Sequence, residues 1–124
     1  MQDCVIMGSV ATFGGVTPDK AQALKVLEEA SEVYNAWKVW DECRDAEAKA
    51  ECRQPLMEEC ADVVQATANL VKACGCDDMR LHLMDCEDRN RKRGREGCKR
   101  YVFVPIPRPY GVLSKIKAKI GGLK

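Results

Sequence analysis

Acidic residues at matched spacing are the feature of this sequence that could do chemistry. Glu29 and Glu32 stand three residues apart in one polar segment, and Glu59 and Asp62 repeat that spacing in a second. On an α-helix, residues three apart lie about one turn apart on the same face. Two such helices packed side by side would therefore gather four carboxylates around one point.

Four carboxylates held close together repel one another, so the arrangement calls for a compensating cation. Oxygen ligands in this number suit Mg²⁺, with Mn²⁺ as the alternative, and these ions usually accompany phosphate chemistry. The other interpretation is that the two segments are solvated faces of Glu-rich helices, which is favoured for either segment taken alone. The repetition of the same pair in two helices favours the metal site.

A dense basic segment follows the acids, at residues 89–95 (RNRKRGR). Cations complement the dipole at a helix C-terminus, but this run is denser than that role requires. Contact with nucleic acid or capture of a polyphosphate would also explain it. No aromatic residue occurs between Trp40 and Tyr101 to stack on bases. An acidic metal site combined with a basic helix end therefore favours a nucleoside triphosphate over nucleic acid as the partner.

Other catalytic arrangements have little support in this sequence. There is no Gly-x-x-x-x-Gly-Lys-Ser/Thr loop, so a Walker-type nucleotide site is excluded. The single histidine, His82, lies between two leucines and is interpreted as a structural or surface residue. One such histidine does not support a Ser/His/Asp or Cys/His nucleophilic site.

The 124 residues correspond to one domain, with a net charge of +1 that is unevenly distributed. Acid dominates residues 28–62, and base dominates from residue 89 onward. The overall charge gives no bias toward nucleic acid or a membrane. No apolar run is long enough to span a bilayer.

Eight cysteines raise the alternative of a secreted disulfide scaffold. Asp3 stands where a signal peptide has a basic residue, and Cys60 and Cys74 fall on an expected buried helix face. The sequence contains no Cys-x-x-Cys pair. We therefore expect reduced cysteines in a cytoplasmic protein.

Three helices are predicted. The first begins with Thr17 as the N-cap and Pro18 at the first helical position, and continues to about Trp40. Its apolar stripe is predicted to exclude Glu29 and Glu32 and to consist of Leu24, Leu27, Ala30, Tyr34 and Trp37.

Proline and glycine mark the bounds of the other two helices. Pro55 is predicted to open the second helix, which ends at Gly75. Residues 41–53 before it are either a short solvated helix or a mobile loop. The third helix is predicted from residue 77 or 78 to about Arg93, with Gly94 ending it. Its core-facing residues are predicted to be Met79, Leu83 and Cys86.

The predicted class is all-α, a helical bundle completed by oligomerisation. Residues 1–16 are predicted to be a flexible lead-in, 17–100 the helical domain, and 101–124 an extended Pro-rich and basic C-terminal tail. Oligomerisation is expected because the second helix carries more apolar surface than three helices can cover.

The acidic and basic segments together resemble a known family. Glu28-Glu29-x-x-Glu32, a spacer and Glu59-x-x-Asp62 are similar to the signature of the MazG-like all-α nucleoside triphosphate pyrophosphohydrolases. Asn90-x-x-Arg93-Gly94 resembles the segment with which that family contacts phosphate and nucleotide. The resemblance spans roughly residues 19–94.

The resemblance implies an enzyme that cleaves an NTP or dNTP to the monophosphate and pyrophosphate. It also implies a homodimer or tetramer. The metal ligands would be Glu29, Glu32, Glu59 and Asp62. Glu28 would be a catalytic carboxylate that orients water, and Lys25, Asn90 and Arg93 would contact the substrate.

Two other functions remain open. The chain could be a non-catalytic helical interaction module whose basic tail binds an acidic partner. It could also, with less support, bind nucleic acid through residues 89–124. An interaction module has no need for all four carboxylates, which separates it from the enzyme.

Overall fold

The computed structural model describes residues 4–95. This part of the chain forms three α-helices: α1 (Lys20–Glu42), α2 (Ala46–Ala73) and α3 (Arg80–Lys92), and no strand. The all-α class is therefore confirmed. Helices α1 and α2 belong to one compact unit, Gly8–Asp77, and α3 belongs to another. The predicted tail at 101–124 lies outside the described residues.

Helix α1 begins two residues later than the sequence indicated. Asp19, not Thr17, is the N-cap, and its side chain accepts a hydrogen bond from the backbone N–H of Gln22. The Thr17 hydroxyl donates to the Asp19 carboxylate at 2.6 Å. This bond and that from Gln22 lower the pKa of Asp19. The prediction of Thr17 as the cap was wrong because a carboxylate nearer the first turn takes that role.

Helix α2 begins well before Pro55. Its N-cap is Asp45, which accepts from the N–H of Ala48 at 2.8 Å, and Pro55 lies inside the helix. Residues 46–53 are thus helical, and the prediction that Pro55 opens the helix was wrong. Pro55 cannot donate to the carbonyl one turn earlier, which usually destabilises a helix interior. Packing of α2 against α1 on both sides of this position offsets that cost.

Glycines end α2 and α3, as predicted. Gly75 has φ +89° after α2, and Gly94 has φ +74° after α3. These left-handed conformations favour glycine because it has no Cβ. Helix α3 itself starts at Arg80, after the predicted residue 77 or 78. Asp78 accepts from the Arg80 backbone N–H at 3.0 Å and holds that first turn.

Helices α1 and α2 form an antiparallel hairpin joined by residues 43–45. Near the connection, the Lys49 ammonium lies 4.2 Å from the centre of the Trp40 ring. Every residue of α1 that is not exposed falls at alternating spacings of four and three: Gln22, Val26, Glu29, Val33, Ala36 and Trp40. The same spacing in α2 runs through Cys52, Leu56, Glu59, Val63, Ala66, Leu70 and Ala73. We call these two rows the seam, and their heptad spacing is that of paired helices.

The predicted apolar stripe of α1 is a different face of the helix. Leu24 is 50% exposed, Leu27 68%, Tyr34 59% and Trp37 42%. We call these four residues the outer apolar face. The heptad positions pack on α2 instead. The predicted stripe is therefore not the packed face of α1, and Glu29, which lies off that stripe as predicted, is on the packed side.

The segment before α1 has no helix or strand between residues 8 and 16, but it hydrogen-bonds to α2. The Phe13 backbone N–H donates to the Asn69 side-chain oxygen at 3.1 Å. Gln65 donates to the Ala11 carbonyl at 3.0 Å and to the same Asn69 oxygen at 3.1 Å. These contacts explain why Asn69 is buried in α2 although it is polar.

Some residues predicted to be buried are exposed. Cys74 is exposed at the end of α2, and Leu83 of α3 is 60% exposed. Met79, just before α3, is 37% exposed. Helix α3 carries surface ion pairs along its own length, Arg89 with Asp85 and Arg91 with Asp88, both at 2.7 Å. Among residues 4–95, no helix is long and apolar enough to cross a membrane.

Candidate metal centre

The helix seam positions the first two functional carboxylates. Glu29 and Glu59 both occupy heptad positions, where the neighbouring seam residues are mostly apolar. The Glu29 side chain is only 15% exposed. Placing an acid in such a position disfavours folding unless the charge is compensated. The packing of α1 on α2 nevertheless fixes the positions of both carboxylates.

Glu29, Glu59 and Asp62 form one group across the hairpin. Each offers a carboxylate oxygen, and these oxygens lie within 4.8 Å of one another. Glu59 and Asp62 meet because they lie one turn apart on α2, and Glu29 reaches them from α1. Asp62 is exposed, so the group opens to solvent on one side. Three of the four predicted ligands are thus brought together.

Within the group, the pKa of Glu59 is raised by its surroundings. Burial raises the pKa of its carboxyl above the usual 4.5, and the nearby charges of Asp62, Glu32, Glu29 and Glu58 raise it further. Each of these causes disfavours the ionised form. A cation placed among the carboxylates would have the opposite effect on that pKa.

Lys25 supplies part of the compensating charge. Its ammonium lies 2.8 Å from the Glu29 carboxylate and 3.2 Å from that of Glu28. Hydrogen bonds to Glu29 and then Glu28 raise the pKa of Lys25. Lys25 was predicted to contact substrate, and the structure places it on two of the predicted catalytic carboxylates.

Glu32 and Glu28 lie beside the group rather than in it. Glu32 is exposed and does not join the oxygens of the other three, although its charge contributes to the raised pKa of Glu59. Glu28 is also exposed and pairs with Lys25. The predicted roles of Glu32 as a ligand and Glu28 as a water-orienting group stay predictions.

Asn90 and Arg93 lie in the unit that contains α3. The Asn90 side chain donates to Cys86 Sγ at 3.6 Å, and the Asn90 backbone carbonyl accepts from the Arg95 backbone N–H at 2.8 Å. Arg93 is the C-cap of α3 and is exposed. Their predicted contact with the substrate stays a prediction.

The donor set fits a hard divalent cation. All three ligands of the group are carboxylates, which suit Mg²⁺ and Mn²⁺ better than softer metals. With Lys25 beside them, the ionised group keeps a net negative charge that a divalent cation would neutralise. The residues present therefore match the predicted cofactor in chemical type.

One feature near the hairpin connection was absent from the predicted site. The thiols of Cys43 and Cys52 meet there, with their sulfur atoms 2.7 Å apart. Their spacing of nine residues gives no signal by itself. The seam spacing would have found the contact, because both residues continue the heptad rows.

Comparisons of the chain with protein-family models, with curated proteins and with solved structures gave no match. The similarity to the MazG-like family therefore depends on the acidic and basic motifs and stays a prediction.

Proposed function

We propose that this chain is a metal-dependent nucleoside triphosphate pyrophosphohydrolase. It would cleave an NTP or dNTP to the monophosphate and pyrophosphate, as its resemblance to the MazG-like family implies. One observation carries the proposal: two seam positions hold Glu29 and Glu59, which converge with Asp62 on a single point. An apolar residue at either seam position would stabilise the hairpin better.

The energetic argument favours a function for these acids. A helical pair gains stability from apolar side chains in its seam, and carboxylates there bring desolvation and mutual repulsion. The raised pKa of Glu59 reflects both effects. Residues that weaken the fold while converging on one point are typical of a binding site.

Glu29, Glu59 and Asp62 would hold Mg²⁺ or Mn²⁺. The ion would neutralise charge on phosphate oxygens and acidify the attacking water. Glu32 would add a further oxygen from the solvent side, and Glu28 would orient the water. Lys25 would move from Glu29 to a phosphate oxygen when the substrate binds. Positioning and charge neutralisation are the main demands of this chemistry.

The outer apolar face of α1 supports the oligomeric part of the proposal. Its four large side chains are between 42% and 68% exposed in the single chain. The Tyr34 and Trp37 rings stack there with their centres 6.0 Å apart, which makes a rigid apolar surface. We place the homodimer contact on α1, whereas the sequence had pointed to α2. A cytoplasmic location, with reduced thiols, is part of the same proposal.

The same face also favours a second candidate function. A non-catalytic interaction module would use Leu24, Leu27, Tyr34 and Trp37 to bind a different protein. In that case the carboxylates would have no part in catalysis. A nucleotide hydrolysis assay therefore distinguishes the enzyme from the interaction module.

The test is product analysis with purified protein and a panel of NTPs and dNTPs. We expect the monophosphate and pyrophosphate in equal amounts with Mg²⁺, and neither product with a chelator. Asp62→Asn should lower turnover at least about a hundredfold, since the group would lose a charged ligand.

Glu58→Gln is the matched control. Glu58 is the exposed acid next to Glu59 and lies outside the converging group, so this variant removes one charge and should keep turnover. Equal loss in both variants, or hydrolysis of no nucleotide in the panel, would contradict the enzyme and favour the interaction module.

A further inference from the structure

A pair of thiols lies at the closed end of the α1–α2 hairpin. Cys43 is the C-cap of α1, and Cys52 lies in the second turn of α2. Their sulfur atoms are 2.7 Å apart, and both are free thiols. A disulfide has an S–S length of about 2.05 Å, so the two atoms need approach by only a fraction of an ångström.

The surroundings hold the two sulfur atoms in place and leave them reachable. The Cys43 thiol also lies 3.2 Å from the Val39 carbonyl, which fixes it over the last turn of α1. The Cys43 N–H donates to the Trp40 carbonyl at 3.2 Å. Both cysteines are half-buried rather than enclosed, so a small reagent can reach them from solvent.

Metal binding explains this pair less well than oxidation. Within residues 4–95, the group of three or more His, Cys, Asp or Glu side chains that could share an ion is the carboxylate group, and it contains neither cysteine. Two thiolates alone do not complete the usual four-ligand zinc site. The chemistry left to two touching thiols is disulfide formation.

We propose that Cys43 and Cys52 are a modification site, which a low-molecular-weight disulfide such as glutathione disulfide converts to an intramolecular disulfide. The bond would join the end of α1 to the start of α2 and fix the hairpin connection. This inference does not depend on the proposed hydrolase activity.

The reaction balances as two thiol–disulfide exchanges. One protein thiolate attacks glutathione disulfide, forms a mixed disulfide and releases one glutathione thiolate. The second protein thiolate then attacks the protein sulfur of that mixed disulfide and releases the second glutathione. Both protein thiols lose their protons to solvent, the two cysteines are oxidised by two electrons, and one glutathione disulfide becomes two glutathione molecules.

The contact also limits the rate of the exchange. The hydrogen bond with Cys52, followed by burial, raises the pKa of Cys43 to about 11, with a further increase from Asp45 and an opposing effect of Lys49. The neutral thiol of Cys43 is thus favoured at neutral pH, and the thiolate is the reacting form. The pair stays reduced in a reducing compartment and closes when the ratio of disulfide to thiol rises.

In the test, the full chain is treated with glutathione disulfide and its remaining thiols are blocked. The product is then digested with trypsin, and no reducing agent is added. Cleavage after Lys38, Arg44, Lys49 and Arg53 separates the two cysteines into peptides 39–44 (VWDECR) and 50–53 (AECR). We expect these peptides to be joined, with a mass two hydrogen atoms below the sum of the two reduced peptides. Oxidation should also raise the melting temperature by roughly 5–10 °C.

Three variants control this experiment. Cys43→Ser and Cys52→Ser should each give a stable glutathione adduct at the remaining cysteine, and no rise in melting temperature. Cys74→Ser removes an exposed thiol of the same unit and should leave the linked peptides unchanged. Blocked thiols at both Cys43 and Cys52 in oxidised wild-type protein, or linkage of either to another cysteine, would overturn the proposal.

Discussion

Glu29 and Glu59 stand at positions where a helix pair is best served by apolar side chains. The Lys25 ammonium compensates part of this negative charge, and solvent reaches the group on the side of the exposed Asp62. Burial and the charges of Asp62, Glu32, Glu29 and Glu58 keep the pKa of Glu59 raised. Lys25 thus compensates only part of the repulsion among the carboxylates, and two predictions at the level of single residues follow from this.

Glu59→Gln should change stability in a way that depends on pH. Because the pKa of Glu59 is raised in the folded chain, folding favours its protonated form. The wild type therefore loses stability as pH rises through that raised pKa. In chelator, the stability of Glu59→Gln relative to wild type should increase from pH 4 to pH 8, measured by chemical denaturation.

The pH dependence separates charge from shape, since the fit of the amide in the seam is the same at each pH. Glu58→Gln should show a smaller change, because Glu58 is exposed and is the last of the four charges acting on Glu59. A constant difference between Glu59→Gln and wild type across this range would contradict the repulsion.

Lys25→Met should strengthen binding of Mn²⁺ in the absence of nucleotide. The ammonium 2.8 Å from Glu29 competes with a metal for the same carboxylate, so its removal should raise affinity several-fold. Electron paramagnetic resonance of free Mn²⁺ measures this directly. Lys38→Met, which removes a lysine lying over the Tyr34 ring, is the control and should leave affinity unchanged.

At the level of the helices, the heptad seam decides the positions of the site residues. Leu56 is 8% exposed in the seam of α2, and its neighbour Met57 is 43% exposed. Leu56→Ala should lower the free energy of unfolding by about 2–4 kcal/mol, as expected for a buried leucine. Met57→Ala should cost less than about 1 kcal/mol. Similar losses in a urea titration would show that the seam is assigned to the wrong face.

The sequence predicts the positions of the helices better than the faces by which they pack. Gly75 and Gly94 gave the right C-termini because a left-handed residue there favours glycine. The prediction that Pro55 opens α2 was wrong because proline more often opens a helix than lies inside one. Helix α1 has apolar residues both on its outer apolar face and in the seam. The prediction chose the outer face because it carries more large apolar side chains, although the seam is the row that packs on α2. Hydrophobicity alone cannot choose between two such rows.

The carboxylates could be predicted from their spacing, but their environment could not. The i, i+3 pairs correctly indicated that Glu59 and Asp62 share a face and that an acid from the first helix meets them. That Glu29 lies in the seam, and Glu32 outside the group, depends on the register between α1 and α2. The meeting of Lys25 with Glu29 follows from their spacing of four residues, which is typical of a helical ion pair.

At the level of the whole molecule, the outer apolar face of α1 predicts self-association. Leu27 is 68% exposed near its centre, so Leu27→Asp would place a charge inside the proposed contact. Light scattering should show a dimer or larger assembly for wild type at micromolar concentration, and a smaller species for the variant.

Val39→Asp is the matched control for this face. Val39 is also exposed on α1, at 56%, but the helical spacing puts it about a third of a turn away from Leu27 around the axis. It should therefore leave the assembly intact. A wild-type monomer at micromolar concentration, or equal dissociation by both variants, would contradict a dimer contact on this face.

The proposal that Glu29, Glu59 and Asp62 hold one cation is tested most directly by calorimetric titration of the full chain with Mg²⁺ and Mn²⁺. We predict saturable binding to wild type and Glu58→Gln, and at least about tenfold weaker binding to Asp62→Asn and Glu59→Gln. Circular dichroism would confirm that the variants stay helical. Absence of saturable binding to wild type, or equal affinity in all four proteins, would contradict a metal centre at this point of the hairpin.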